Sequence, residues 1–303
     1  MAPARGRFLW HELMCNDPSA AIGFYTKVIG WKRQPMENVP NYHLLTWKDS
    51  PMAGVLRVKG DSKAMGAVPA WLPYLGCEDA HVTAWEAQRL GGKVLKEPSV
   101  TPTVGTWAIL QDPQGAQFAI IQPEVKPGPE QKPGLGDFSW HELATTDHKA
   151  AFKFYRELFG WRRTRSSDMG PPLGEYLMYG QGRFEYGGMY SKAPDQPGPA
   201  WVSYVNVANA RKTTGLISGA GGMVMVGPMD VPGGDLITVA ADPQGAVFAI
   251  HQRRAVAKSS VAKKGKPAKK KAARKVTKRT AKPAKRAKPS ARRKPAKKSK
   301  KRR

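Results

Sequence analysis

The chain has 303 residues, with 50 Lys and Arg against 23 Asp and Glu and a formal net charge of +27. The imbalance sits at one end: residues 258–303 hold 24 basic residues and no acidic one, so the preceding body is near +3 and must be read separately from a cationic arm. Two cysteines, Cys15 and Cys77, exclude a disulfide scaffold, and no apolar run reaches the roughly 18 residues of a membrane helix, so a soluble, intracellular protein is expected.

Phe8 to Met14 is an apolar, aromatic run that reads as a strand rather than a signal-peptide core. It ends at Asn16-Asp17-Pro18, where Asp17 can cap a helix and Pro18 can take its first position. Ala20, Ala21, Phe24, Val28 and Ile29 then fall at helical spacing, and Gly30 closes the segment. Tyr42 to Trp47 and Met52 to Val58 read as strands around the turn-forming Lys48-Asp49-Ser50-Pro51. The same order then restarts. Trp71 to Cys77 is strand-like, Ala80 to Leu90 helical, and Lys93 to Leu95, Val104 to Leu110 and Ala116 to Gln122 are strands, with Asp112-Pro113-Gln114-Gly115 fitting a type I turn.

The whole pattern then repeats. Phe8, Trp10, His11, Glu12, Leu13 and Asp17 return 130 positions later as Phe138, Trp140, His141, Glu142, Leu143 and Asp147. Phe24-Tyr25 matches Phe154-Tyr155, Gly30-Trp31 matches Gly160-Trp161, Trp71 matches Trp201, and the Asp112 turn matches Asp242-Pro243-Gln244-Gly245. The expected division is a first domain over 1–125, a linker over 126–136, a second domain over 137–253, and an arm over 254–303. Each domain is large enough to bury its own core.

Paired βαβββ units, a capped Phe-Tyr helix ending in Gly-Trp, and Asp-Pro-Gln-Gly-Ala before the last strand resemble the vicinal oxygen chelate superfamily, which includes glyoxalase I, bleomycin-resistance proteins and extradiol dioxygenases. The resemblance spans about residues 7–123 and 137–252 and is nearest to a two-domain, glyoxalase-like branch. It implies an α+β fold in which the strands of each domain curl into a mixed-sheet bowl, with the two repeats paired as an internal pseudo-dimer. It also implies metal ligands on the first, fifth and last strands, at positions that here carry Trp10, Leu72 and Ala119, then Trp140, Val202 and Ala249. None of these six side chains can coordinate a divalent cation, so neither metal nor cofactor is expected. A register shifted by one residue would instead bring in His11 and His141.

Alternation along the strands puts Trp10, Glu12 and Met14 on one face, with Leu72 and Tyr74, and Gln117, Ala119 and Ile121. The second copy gives Trp140, Glu142 and Ala144, Val202, Tyr204 and Asn206, then Val247, Ala249 and His251. Both bowls are expected to be aromatic-walled, with Trp10, Glu12, Tyr74, Trp140, Glu142, Tyr204 and His251 as ligand-binding candidates for a small apolar or aromatic molecule. A carboxylate in an apolar cavity can act as a general acid or base, so Glu142 with Tyr204 or His251 is the catalytic candidate. Glu12 and Glu142 can equally answer a buried backbone donor or an arginine such as Arg33 or Arg163. Trp31 and Trp161 read as core plugs.

Beyond Ala257, Lys and Arg alternate with Ala, Pro, Ser and Thr, with nothing from which to build a core, so this arm is expected to be disordered when free. It resembles the tails of histone H1 and of bacterial histone-like proteins. Lys269, Lys270, Lys271, Arg274, Lys275, Arg292, Arg293, Lys294, Lys297 and Lys298 are the densest candidates for phosphate contacts, to double-stranded DNA first and to RNA or polyphosphate behind it. No amphipathic face suits a membrane. Three functions are expected in order: a metal-free small-molecule-binding protein tethered to nucleic acid, a lyase or isomerase acting on a small carbonyl compound, and an architectural nucleoid protein. The expected location is the bacterial cytoplasm, with the arm drawing the body to the nucleoid.

Overall fold

Asp17 and Asp147 each receive two backbone N–H groups of the following helix, from Ser19 and Ala20 and from Lys149 and Ala150, and so start the two helices that follow the first strand of each repeat. At the far end Gly160 turns the chain with φ of 74°, a left-handed value that an L side chain resists. The computed structural model describes residues 4–36, 41–58 and 68–254. The arm beyond Arg254, with all ten of its candidate residues, lies outside them.

The first repeat contains β1 (Phe8–Cys15), α1 (Pro18–Val28), β2 (Lys32–Pro35), β3 (Tyr42–Trp47), β4 (Ser50–Arg57), β5 (Ala70–Gly76), α2 (Ala80–Arg89), β6 (Lys93–Thr101), β7 (Gly105–Gln111) and β8 (Gln117–Pro123). The second contains β9 (Phe138–Thr145), α3 (His148–Phe159), β10 (Arg162–Asp168), β11 (Glu175–Gln181), β12 (Phe184–Ser191), β13 (Ala200–Asn206), α4 (Ala210–Gly219), β14 (Met223–Asp230), β15 (Leu236–Ala241) and β16 (Val247–Gln252). Each repeat makes one eight-stranded mixed sheet, ordered β2-β3-β4-β1-β5-β8-β7-β6 and β10-β11-β12-β9-β13-β16-β15-β14. The expected α+β class with two curled mixed sheets is what the chain forms. Among the described residues no helix is long and apolar enough to cross a membrane.

The cores are not divided as the sequence suggests. One core joins Leu75, Ala84, Leu110 and Phe118 of the first repeat to Tyr155, Phe159, Trp161 and Trp201 of the second. The other joins Leu13, Tyr25, Trp31 and Trp71 to Val205, Ile217, Phe248 and Ile250. Each helix-bearing core is therefore half one repeat and half the other, and the described residues form one compact unit. The two inner tryptophans plug these joints: Trp31 Nε1 donates to the Gly136 carbonyl at 2.9 Å and Trp161 Nε1 to the Gly6 carbonyl at 2.8 Å, each across the repeats.

Candidate ligand site in the second bowl

The bowl face of the second sheet is built from the floor up. Trp140 on β9 stands opposite Tyr204 on β13, which pairs with Ala249 on β16; Glu142 stands opposite Val202. The first repeat has the same rows, Trp10 with Tyr74 and Ala119, and Glu12 with Leu72. A cavity of about 160 Å³ opens over the second floor, lined among others by Trp140, Glu142, Tyr176, Met178, Tyr204, Val231, Ile237 and His251, with Arg165 and Asp235 also on its wall. Trp140, Glu142, Tyr204 and His251 thus come together around one space.

Glu142 is held by neutral donors. Trp140 Nε1–H can only donate, and it donates to the Tyr176 hydroxyl at 2.9 Å; that hydroxyl in turn donates to Glu142 Oε2 at 2.8 Å. Tyr204 donates to the other oxygen, Oε1, at 3.0 Å. Burial pushes the Glu142 carboxyl above the usual carboxylate range, and the two phenols, which favour the charged form, do not cancel it. The arginine anticipated for this carboxylate is engaged elsewhere: Arg163 Nη2 lies 2.6 Å from Glu175 Oε1. Arg33 likewise does not reach Glu12, its Nη2 lying 3.5 Å from His43 Nδ1.

His251 is not a partner of Glu142. Its Nε2 faces Asp235 Oδ2 at 2.8 Å and its Nδ1 faces Ser139 Oγ at 3.0 Å. A carboxylate only accepts, so Nε2 carries the proton and the Ser139 hydroxyl supplies Nδ1. Burial lowers the His251 pKa despite the opposing pull of Asp235. Burial would raise the Asp235 carboxyl, but the Arg254 backbone N–H and His251 outweigh it and hold it below its ordinary value. Neutral imidazole and charged carboxylate therefore stand side by side at the rim.

The first bowl repeats the floor under a more apolar lining. Trp10 Nε1 donates to Tyr42 at 3.1 Å, and Tyr74 donates to Glu12 Oε2 at 2.5 Å. Burial raises the Glu12 pKa against the two tyrosines that face it. Above this floor Leu72, Tyr74, Ala119 and Ile121 pack with Trp10, Met14, Val104, Trp107 and Ile109 as a third apolar cluster. Trp107 occupies the place of Ile237, Ile121 that of His251, and Gly105 that of Asp235. Trp10, Glu12 and Tyr74 come together, but against apolar side chains of their own chain.

Tyr42 and Tyr176 escaped the sequence reading. They stand 134, not 130, positions apart, so the fixed offset that exposed the other pairs hides this one. Their signal was a glycine in the neighbouring strand: a Cβ on Gly54 or Gly188 would overlap the ring of Tyr42 or Tyr176. Asp235 was hidden because its counterpart is a glycine.

His11 and His141 do not enter either bowl, so the shifted register is not used. Their Nε2 atoms meet at 2.9 Å between the repeats, His141 lies 3.5 Å from the Phe8 ring centroid and His11 3.6 Å from that of Phe138. Among the described residues no three His, Cys, Asp or Glu side chains converge as metal ligands would. The floor positions carry indole, phenol and methyl groups, and both His251 nitrogens are engaged, so this donor set does not fit a divalent cation.

Comparison with known proteins gives this geometry its relatives. The glyoxalase/bleomycin resistance protein/dioxygenase superfamily matches residues 138–250, and the glyoxalase-like domain matches residues 10–121. CFP32 of Mycobacterium tuberculosis, which carries the name of a glyoxylase, is 36% identical over 129 residues, covering 42% of this chain and 46% of that protein, so the match spans about half the length of that relative. The anthracycline biosynthesis protein DauV of Streptomyces sp. strain C5 is 26% identical over 83% of this chain and 94% of its own. Among solved structures, the 2,3-dioxygenase LapB of Pseudomonas sp. KL28 superposes with a TM-score of 0.58 at 13% identity over 82% of this chain and 93% of that one. The Mn(II)-bound glyoxalase of Novosphingobium aromaticivorans gives 0.55 at 14% identity over 82% of each chain. At such identities the likeness is one of fold. Both repeats match, their strand orders coincide, and the chain belongs to the glyoxalase/bleomycin resistance protein/dioxygenase superfamily as two glyoxalase-like modules in tandem.

Proposed function

We propose that the second bowl is a metal-independent binding site for a small, largely apolar or aromatic molecule, and that the first bowl is its filled twin. The observation that carries this reading is the open cavity over Trp140, Tyr176 and Tyr204, in a bowl whose expected ligand positions hold Trp140, Val202 and Ala249. A relative named for anthracycline biosynthesis makes polycyclic aromatic compounds the first to screen.

The test combines elemental analysis of the purified chain with a thermal-shift screen of aromatic compounds against wild type, Trp140→Ala and Trp10→Ala. Ligand-induced stabilisation lost in the Trp140 variant and kept in the Trp10 variant supports the reading. Stoichiometric zinc, nickel, manganese or iron held by the body overturns it.

A second reading is favoured by the Glu142 carboxyl alone, raised by burial and bonded to the Tyr204 phenol. In a lyase or isomerase acting on a small carbonyl compound, Glu142 would take a proton next to the carbonyl and return it to a neighbouring atom, with Tyr204 supporting the charge. His251, bound to Asp235 and Ser139, is left out of that exchange.

For the arm the support is its sequence: 24 basic and no acidic residues over 258–303 suit sequence-independent binding to DNA or another polyanion in a bacterial cytoplasm. Gel shifts with and without those residues test it. Binding that survives their removal, or that ignores salt, refutes it.

A further inference from the structure

The charges around the second bowl do not balance. Glu142 and Asp235 both line the cavity, and Arg165 is the single Lys or Arg among its lining residues. Arg165 is already spent: its Nε and Nη2 reach the two oxygens of Glu185 at 3.1 and 2.5 Å, a bidentate pair that leaves little charge for an occupant. His251 is neutral beside Asp235. Glu142 has only phenolic partners, and among the described residues no basic side chain forms a salt bridge with it.

With only neutral donors around it, the Glu142 carboxyl has no opposite charge to hold it ionised, and burial raises its pKa. A neutral occupant could add one hydrogen bond, and an anionic one would add repulsion from two carboxylates. An ammonium group supplies both a donor and the missing charge. Trp140, Tyr176 and Tyr204 line the same cavity and add aromatic wall for the body of the molecule. Val231, Ile237 and Met178 leave apolar wall for the rest of the molecule.

We infer that the second bowl selects a protonated amine carried on an apolar or aromatic body, with the ammonium at Glu142. This rests on the proposed function above and adds the charge of the ligand. The first bowl lacks the second carboxylate: its counterpart of Asp235 is Gly105, and Trp107 packs against its apolar cluster in the place of Ile237.

The test uses the full chain at neutral pH and physiological salt, with calorimetric titration of three probes that share one ring system: tryptamine, tryptophol and 3-indolepropionate. The basic arm draws the anionic probe and repels the amine, so it biases against the inference. A hydrogen bond to a charged group predicts tryptamine about ten- to a hundred-fold tighter than tryptophol, with 3-indolepropionate weakest. Glu142→Gln should remove most of that advantage, lowering tryptamine affinity by a larger factor than tryptophol affinity. Asp235→Asn, at the rim and outside the phenol pair, should reduce it by a smaller factor, which keeps the test decisive if Glu142→Gln folds poorly. If tryptamine and tryptophol bind alike, or if the preference survives both substitutions, the inference is overturned while the binding function stands. If no probe of the three binds and the aromatic screen is also silent, both fall.

Discussion

At the scale of single residues the bowl floor depends on two glycines whose importance is steric. The Tyr176 ring occupies the space beside Gly188 on β12, as Tyr42 does beside Gly54 on β4, and only a bare Cα leaves room for it. Tyr176 links the Trp140 indole to the Glu142 carboxylate, so displacing it unmakes the polar floor. Gly188→Ala is expected to cost about 1–3 kcal/mol, the usual range for overpacking a buried contact. Chemical denaturation would show the loss, and ligand-induced stabilisation should fall with it. A variant as stable as wild type, with binding intact, would mean that Tyr176 has another place to go. Trp10, Glu12, Trp140 and Glu142 were legible because strand alternation fixes which side chains share a face. Tyr176 and Gly188 were not, because their meeting depends on how β11 and β12 pair, with a register shift between Tyr179 and Gly180.

At the scale of elements, the recurrent motifs turn out to join the repeats. The second residue of each Phe-Tyr pair reaches the turn aspartate of the other repeat: Tyr155 donates to Asp112 Oδ2 at 3.0 Å, and Tyr25 to Asp242 Oδ2 at 3.2 Å. Trp201 Nε1 donates to Tyr155 at 3.1 Å and Trp71 Nε1 to Tyr25 at 2.8 Å, so each clasp is an indole, a phenol and a carboxylate in series. The aspartates are held from behind by backbone N–H groups of Gln114, Gly115 and Ala116, and of Gln244 and Ala246. The sequence marked Asp-Pro-Gln-Gly as a turn and the Phe-Tyr segment as a capped helix, and the chain forms a turn and a helix there. That the two belong to one contact was hidden, since each partner lies in the other repeat. Tyr155→Phe leaves the buried Trp201 N–H without its acceptor and should cost about 1–3 kcal/mol. Adding Asp112→Asn should cost less than the two losses summed, because they share one contact, whereas Tyr25→Phe in the other core should add in full. Urea unfolding of the three single and two double variants decides between coupling and independence.

At the scale of the whole molecule the interleaved cores meet at His11 and His141. The Tyr186 carbonyl accepts from His141 Nδ1 at 3.2 Å, so that nitrogen carries the proton, and His141 Nε2 accepts from His11 Nε2–H. The chain of donors needs a neutral His141, and burial disfavours charge on His11 beside it. Burial, and for His11 the neighbouring imidazole, lower both pKa values, that of His141 to about 3 against an ordinary 6.5. Unfolded, both rings would take protons as the pH falls below about 6.5; folded, they refuse them, so stability must decline with acid across the interval from about 6.5 to 3. The carboxyls of Glu12, Glu142, Asp112 and Asp242 work in the opposite sense, since burial raises them and their contribution is lost as pH rises. Comparing wild type with His11→Gln cancels that opposing part, because glutamine can still donate to His141 and does not titrate. The variant's unfolding free energy should therefore fall less steeply on acidification, by about one proton or ~1.4 kcal/mol per pH unit. Parallel slopes for the two proteins across this range would show that the histidine pair is protonated, or exposed, in the folded chain.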